Sequence, residues 1–134
     1  MVPDVWLGVG EGEGGEMRGF LQLCADRRYH RMTMAEFEAR TGLGPDQYWI
    51  EATAGGAPAF GAATATAEFA YNNGATIMGW AAHGDACGGF PGRSDYEMRT
   101  KVQAAARERS KDFPEAQHWM LFAAKGRVEA SKSF

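Results

Sequence analysis

Short apolar runs alternate with helix-forming ones along most of this chain, and few folds accommodate that alternation. Gly19 to Ala25 is apolar and closes on a charged cluster, and Tyr48-Trp49-Ile50-Glu51-Ala52 closes on the small-residue turn Thr53-Ala54-Gly55-Gly56. Ala75 to Ala82 closes on His83, and His118 to Ala123 is a fourth such run. Runs this short with little polar alternation predict strands, the third buried on both faces. Between them, Thr33 and Glu36 have capping-box spacing for a helix from Met34 to Arg40, which stops at Thr41-Gly42. The alanine-rich stretch Ala59 to Asn72 predicts a second helix. A third, capped by Ser94 or Asp95, runs to Lys111 ahead of Pro114, and Gly126 to Phe134 reads as a short polar tail. The expected class is α/β: a central, mostly parallel sheet of about four strands with helices packed on its faces. Ligand sites in such sheets lie outside the carboxyl ends of the strands, where Cys24, Gly55, Gly56 and His83 all fall.

The length, 134 residues, suits a single core. Six glycines between Gly8 and Gly19 mark residues 1–18 as a flexible arm, leaving 19–134 as one α/β domain. A net charge of −3 offers no basic footprint for nucleic acid. No apolar run approaches the roughly 20 residues needed to span a bilayer, so no membrane partner is expected. Without a basic segment leading into an apolar one at the start, the expected location is the cytoplasm, where thiols stay reduced. Two cysteines are too few for a disulfide scaffold, although a single Cys24–Cys87 bridge remains an alternative.

Those two cysteines are the chemical signal. Cys24 ends the first strand, and Cys87 lies four residues after His83, at the end of the third. Two thiolates and an imidazole suit zinc and leave its fourth position open. Zinc in such a site lowers the pKa of a water toward about 7. Asp26 follows Cys24 by two residues and projects to the same side if the chain stays extended. It then orients a hydroxide as acceptor or binds the metal itself, with Arg28 holding it through a planar fork. An ordinary surface ion pair or a helix-capping Asp is the plainer alternative. His30 and His118 read as bystanders, and Trp49, Phe60, Phe69, Trp80 and Trp119 read as core.

These residues resemble the β-class carbonic anhydrases. The Cys-x-Asp-x-Arg motif of that family is matched by Cys24, Asp26 and Arg28, and its Ala-Gly-Gly turn by Ala54-Gly55-Gly56. Its remaining ligands, a His and a Cys followed by glycine, are matched by His83 and Cys87 with Gly88-Gly89 behind them. The likeness runs from about Gly19 to Ala123 and is to the small members of the family. It implies a zinc lyase that reversibly hydrates carbon dioxide to bicarbonate, and a homodimer or higher homo-oligomer. In the family's mechanism zinc-bound hydroxide attacks carbon dioxide in an apolar cleft. The Asp accepts the hydroxide's hydrogen bond, or in some members closes the metal site until the Arg draws it away. The resemblance assigns these roles to Asp26 and Arg28. One departure is plain: the family spaces its second ligand pair His-x-x-Cys, whereas here Ala86 stands at that cysteine position and Cys87 comes one residue later. The surrounding glycines are expected to absorb the extra residue as a bulge or wider turn. Two other functions fit the same residues: a hydrolase for carbonyl sulfide or carbon disulfide, and a non-catalytic zinc-binding or redox-sensing protein.

Overall fold

A computed structural model describes residues 16–133. The chain forms β1 (Gly19–Cys24), α1 (His30–Thr41), β2 (Tyr48–Thr53), α2 (Ala65–Asn72), β3 (Ile77–His83), α3 (Asp95–Asp112), β4 (Gln117–Ala124) and β5 (Arg127–Ser133). Two 3-10 turns, Arg27–Tyr29 and Ala57–Ala59, follow the ends of β1 and β2. The five strands make one sheet in the order β2-β1-β3-β4-β5, parallel except for the last pair. No helix among the described residues is long and apolar enough to cross a membrane.

The two faces of the sheet are packed differently. Phe20, Met78, Trp80 and Met120 meet Ala67 and Ala70 of α2 and Met98, Val102 and Ala106 of α3. The small side chains of α2 let that helix lie close to the strands. Leu21, Leu23, Ala81 and Leu121 point the other way, against Phe37 of α1. With layers on both sides, β1 and β3 are buried along their whole length, which is why neither shows polar alternation. Burial of side chains the size of Phe20, Phe37, Leu21 and Leu121 stabilises the fold by roughly 1.5–3 kcal/mol each.

Local signals set most boundaries. Ser94 accepts from the Glu97 N–H while the Glu97 carboxylate accepts from the Ser94 N–H, a complete capping box for α3. Gly42 ends α1 with a left-handed φ of 80°, as the Thr41-Gly42 stop predicts. Thr33 is not a cap: it is buried inside α1, which starts three residues earlier because Asp26 has already nucleated the 3-10 turn that runs into it. The predicted Ala59–Asn72 helix is divided. The 3-10 turn ends at Ala59, residues 60–64 are not helical, and α2 proper begins at Ala65 with Thr64 capping the Ala67 N–H.

The tail from Gly126 is the main correction to the predicted architecture. It is a fifth strand, antiparallel to β4. Lys125 and Gly126, with φ of 53° and 73°, make the two-residue turn whose twist matches a hairpin. Val128 and Ala130 then pack on the α1 face while Arg127 and Glu129 stay exposed. Sheet pairing also starts before the predicted domain boundary: the Arg18 N–H donates to Gln47 and its carbonyl accepts from Thr76. The rest of the predicted arm, residues 1–15, lies outside the described residues.

His118, read as a bystander, is a buried structural residue. Trp80 Nε1 donates to its Nδ1 at 3.0 Å, and its Nε2 donates to the Phe113 carbonyl at 2.8 Å, so both nitrogens are satisfied in the neutral ring. Burial depresses its pKa below the ordinary 6.5. The unfolded chain therefore binds a proton that the folded one resists, and stability falls as pH drops below 6.5. The expected slope is up to about 1.4 kcal/mol per pH unit until the folded ring itself titrates. Urea unfolding between pH 7.5 and 5 reads it, and a His118→Gln protein is expected to lose that limb. An unchanged limb in the variant assigns the acid sensitivity elsewhere.

Candidate metal centre

The sheet order puts the ends of β1 and β3 side by side. The chain winds from β1 to one edge and from β3 toward the other, and a crevice opens where that direction reverses. Cys24 and His83 are the last residues of these two strands, and the loop after His83 brings Cys87 back over them. The donor atoms of Cys24, His83 and Cys87 all lie within 4.8 Å of one another, and all three residues are buried. The two Sγ atoms are 4.0 Å apart and both thiols are free. A disulfide needs about 2.05 Å, whereas two thiolates on one tetrahedral zinc stand about 3.8 Å apart at Zn–S near 2.3 Å. The spacing suits a shared cation.

His83 supplies the sharper test of fit. Its Nδ1 lies 2.6 Å from the Gly84 carbonyl, which only accepts, so Nδ1 carries the hydrogen and in the neutral ring Nε2 presents a lone pair. That Nε2 is buried and has no hydrogen-bond partner. Asp26 Oδ2, another electron-pair donor, lies 3.6 Å from it. With the ring neutral, two electron-pair donors face each other here, an arrangement that a bound cation relieves. The donor set of two sulfurs and one imidazole nitrogen is softer than calcium or magnesium accept and falls within zinc's range. Burial holds the Cys87 thiol above its ordinary pKa, while the N–H groups of Gly89 and Phe90 favour the thiolate. A metal ion held there would add to that second influence.

Asp26 makes both contacts of the plainer alternative, a cap and an ion pair, and does so beside His83. Its carboxylate caps the 3-10 turn by accepting from the Arg28 N–H at 3.0 Å. Arg28 also grips it side-on, with Nε 2.9 Å and Nη2 2.6 Å from Oδ2. These contacts, the side-chain bond first, push the Asp26 pKa down to about 2. Asp26 is therefore an anion at any pH near neutrality, aimed at the His83 nitrogen but restrained by Arg28. Nη2 of Arg28 additionally reaches the carbonyls of Asp85 and Ala86, both at 3.3 Å.

The extra residue between His83 and Cys87 is absorbed without glycine. Asp85 and Ala86 are consecutive left-handed residues, with φ of 54° and 69°. Asp85 belongs to the few residue types that tolerate this region, and Ala86 is held there at a cost. Gly55 and Gly56 take positive φ as well, 89° and 67°. A Cβ on Gly56 would sit 2.5 Å from the Ala81 carbonyl oxygen, and one on Gly89 2.5 Å from the Gly55 nitrogen. The Gly-Gly turn is thus a backbone floor pressed between β3 and the ligand loop.

Residues beyond the predicted set join the site. The Tyr29 ring stacks on His83 at 4.9 Å, and its hydroxyl donates to Asp85 Oδ2 at 2.6 Å. His30, read as a bystander, donates from Nε2 to the Cys24 carbonyl at 2.6 Å. Their closeness to Cys24 in sequence was the available signal, obscured by the surrounding arginines. Leu23, Ala81 and Ala82 form an apolar wall beside Asp26 and His83 around a cavity of about 10 Å³, on the scale of one water molecule by that measure. Only a very small ligand fits there. The chain matches no protein-family model and no curated protein sequence.

Proposed function

We propose that this protein is a zinc-dependent carbonic anhydrase of the β-class type, catalysing the reversible hydration of carbon dioxide to bicarbonate. The observation that carries the reading is the orphaned, buried Nε2 of His83 beside the Cys24 and Cys87 thiols, with Asp26 held next to it by Arg28. Zinc bound by those three residues supplies a Lewis acid that makes hydroxide available from water near neutral pH.

The chain's own residues do the rest. Cys24, His83 and Cys87 would hold the zinc. Asp26, ionised by its contact with Arg28, accepts a hydrogen bond from the attacking oxygen and so fixes where its lone pair points. Arg28 keeps the carboxylate from occupying the open position itself. The wall of Leu23, Ala81 and Ala82 favours a small uncharged molecule over a hydrated ion. A homodimer, as in the family resembled, and a cytoplasmic location belong to the same proposal.

The test is direct. Purified protein is expected to carry about one zinc per chain by elemental analysis, and to accelerate carbon dioxide hydration in a stopped-flow indicator assay at pH 7 to 9. A folded, zinc-loaded protein with no rate above buffer overturns the assignment. A parallel sulfide-release assay with carbonyl sulfide separates carbonic anhydrase from a hydrolase of sulfur analogues.

A further inference from the structure

The loop from His83 to Cys87 carries two of the three metal donors, yet its middle is held in a conformation that non-glycine residues avoid. Something must hold it there, and the contacts converge on one side chain. The Asp85 carboxylate accepts from the Tyr29 hydroxyl at 2.6 Å and from the Lys125 backbone N–H at 2.7 Å. Its own N–H donates to Asp95 Oδ1 at 2.7 Å. Lys125 Nζ lies 3.6 Å from Asp85 and 3.1 Å from Asp95. The backbone carbonyls of Asp85 and Ala86 accept from Arg28 Nη2. One residue of the loop is thereby tied to the turn after β1, the start of α3 and the β4–β5 hairpin. Tyr29 is common to both sides: the ring that stacks on His83 bears the hydroxyl that holds Asp85.

We propose that Asp85, with Tyr29 as its strut, is a positioning residue that presets the separation of His83 and Cys87 for one metal ion. The inference rests on the zinc reading of the site. A five-residue His-to-Cys segment has more conformations than a four-residue one, and without the clamp its two donors spend less time at the spacing a tetrahedral cation requires. Asp85 touches neither metal nor substrate; it acts through the loop backbone.

The experiment compares zinc dissociation constants, by chelator competition, for the wild type and for Asp85→Ala, Asp85→Asn and Tyr29→Phe. Asn tolerates left-handed backbone and keeps one acceptor, and Phe keeps the stacked ring, so these two separate the clamp from general loss of fold. Zinc affinity is expected to fall about 10- to 100-fold in Asp85→Ala, by less in Asp85→Asn, and measurably in Tyr29→Phe. The thiolate-to-cobalt charge-transfer band of the cobalt-substituted proteins is expected to shift in the same order. Unchanged zinc affinity and cobalt spectra in all three overturn the inference, as does a lowered metal-free melting temperature with unchanged affinity, which marks Asp85 as structural alone. A wild type that binds no zinc overturns the metal reading itself and is distinguished by that.

Discussion

Cys24→Ser, His83→Ala and Cys87→Ser proteins, purified with zinc present, are each expected to carry almost no zinc and to hydrate carbon dioxide no faster than buffer. A site with three protein donors has none to spare. Each donor is buried within 4.8 Å of the other two, and the nearest substitute, Asp26, is already gripped by Arg28. Serine is close to cysteine in size but is a poor zinc ligand at neutral pH, so the Ser variants remove the chemistry while disturbing packing little. Water free in solution has a pKa near 15.7 against about 7 on zinc, and the loss of turnover is accordingly expected to reach about 10³-fold or more. Elemental analysis, stopped-flow hydration and circular dichroism on the same samples check it. A folded variant that keeps a full complement of zinc removes that residue from the ligand set.

Asp26→Asn is expected to separate binding from turnover. Zinc content stays near that of the wild type, because Asp26 is not among the three converging donors. Turnover falls by about 10²- to 10⁴-fold, the usual worth of a positioned acceptor in a transition state. Asn at this place presents Arg28 with a neutral partner, and one of its two side-chain polar atoms becomes a donor where an acceptor is needed. Arg28→Ala is expected to lower turnover by a different route. With the fork removed, the carboxylate is free to close the 3.6 Å to the position beside His83 Nε2, so zinc is retained more tightly while the open position is lost. Chelator competition and stopped-flow rates on the two variants read both quantities. Normal turnover in Asp26→Asn ends the orienting role proposed for it.

Much of the fold was legible because its causes are local. The strands ending at Cys24 and His83 are short, apolar and closed by charged or small residues, so their extents lie within two residues of the predicted ones. The caps at Ser94 and Gly42 operate over three or four residues and were readable for the same reason. Two misreadings came from competition between local signals. Thr33 and Glu36 have capping-box spacing, but Asp26 caps first and draws the helix start back to His30. Val128 and Ala130 alternate with Glu129 as a half-buried strand does, yet the polar end of the chain masked a pattern that matters only once β4 lies beside it.

The sequence by itself determined the kinds of atoms available: two thiols, an imidazole, a carboxylate with an arginine two residues on, each at a strand end or beside one. Residue type sets donor chemistry, and short-range spacing sets strand and helix ends, without reference to distant chain. Only the tertiary structure decided that the donors meet. Cys24 and Cys87 stand 63 positions apart and come within 4.0 Å because β1 and β3 are neighbours in the sheet. The loop that carries Cys87 owes its shape to partners at Tyr29, Asp95 and Lys125. Its left-handed backbone is locally unfavourable, so no local pattern predicts it; it persists because contacts from three separate elements outweigh that cost.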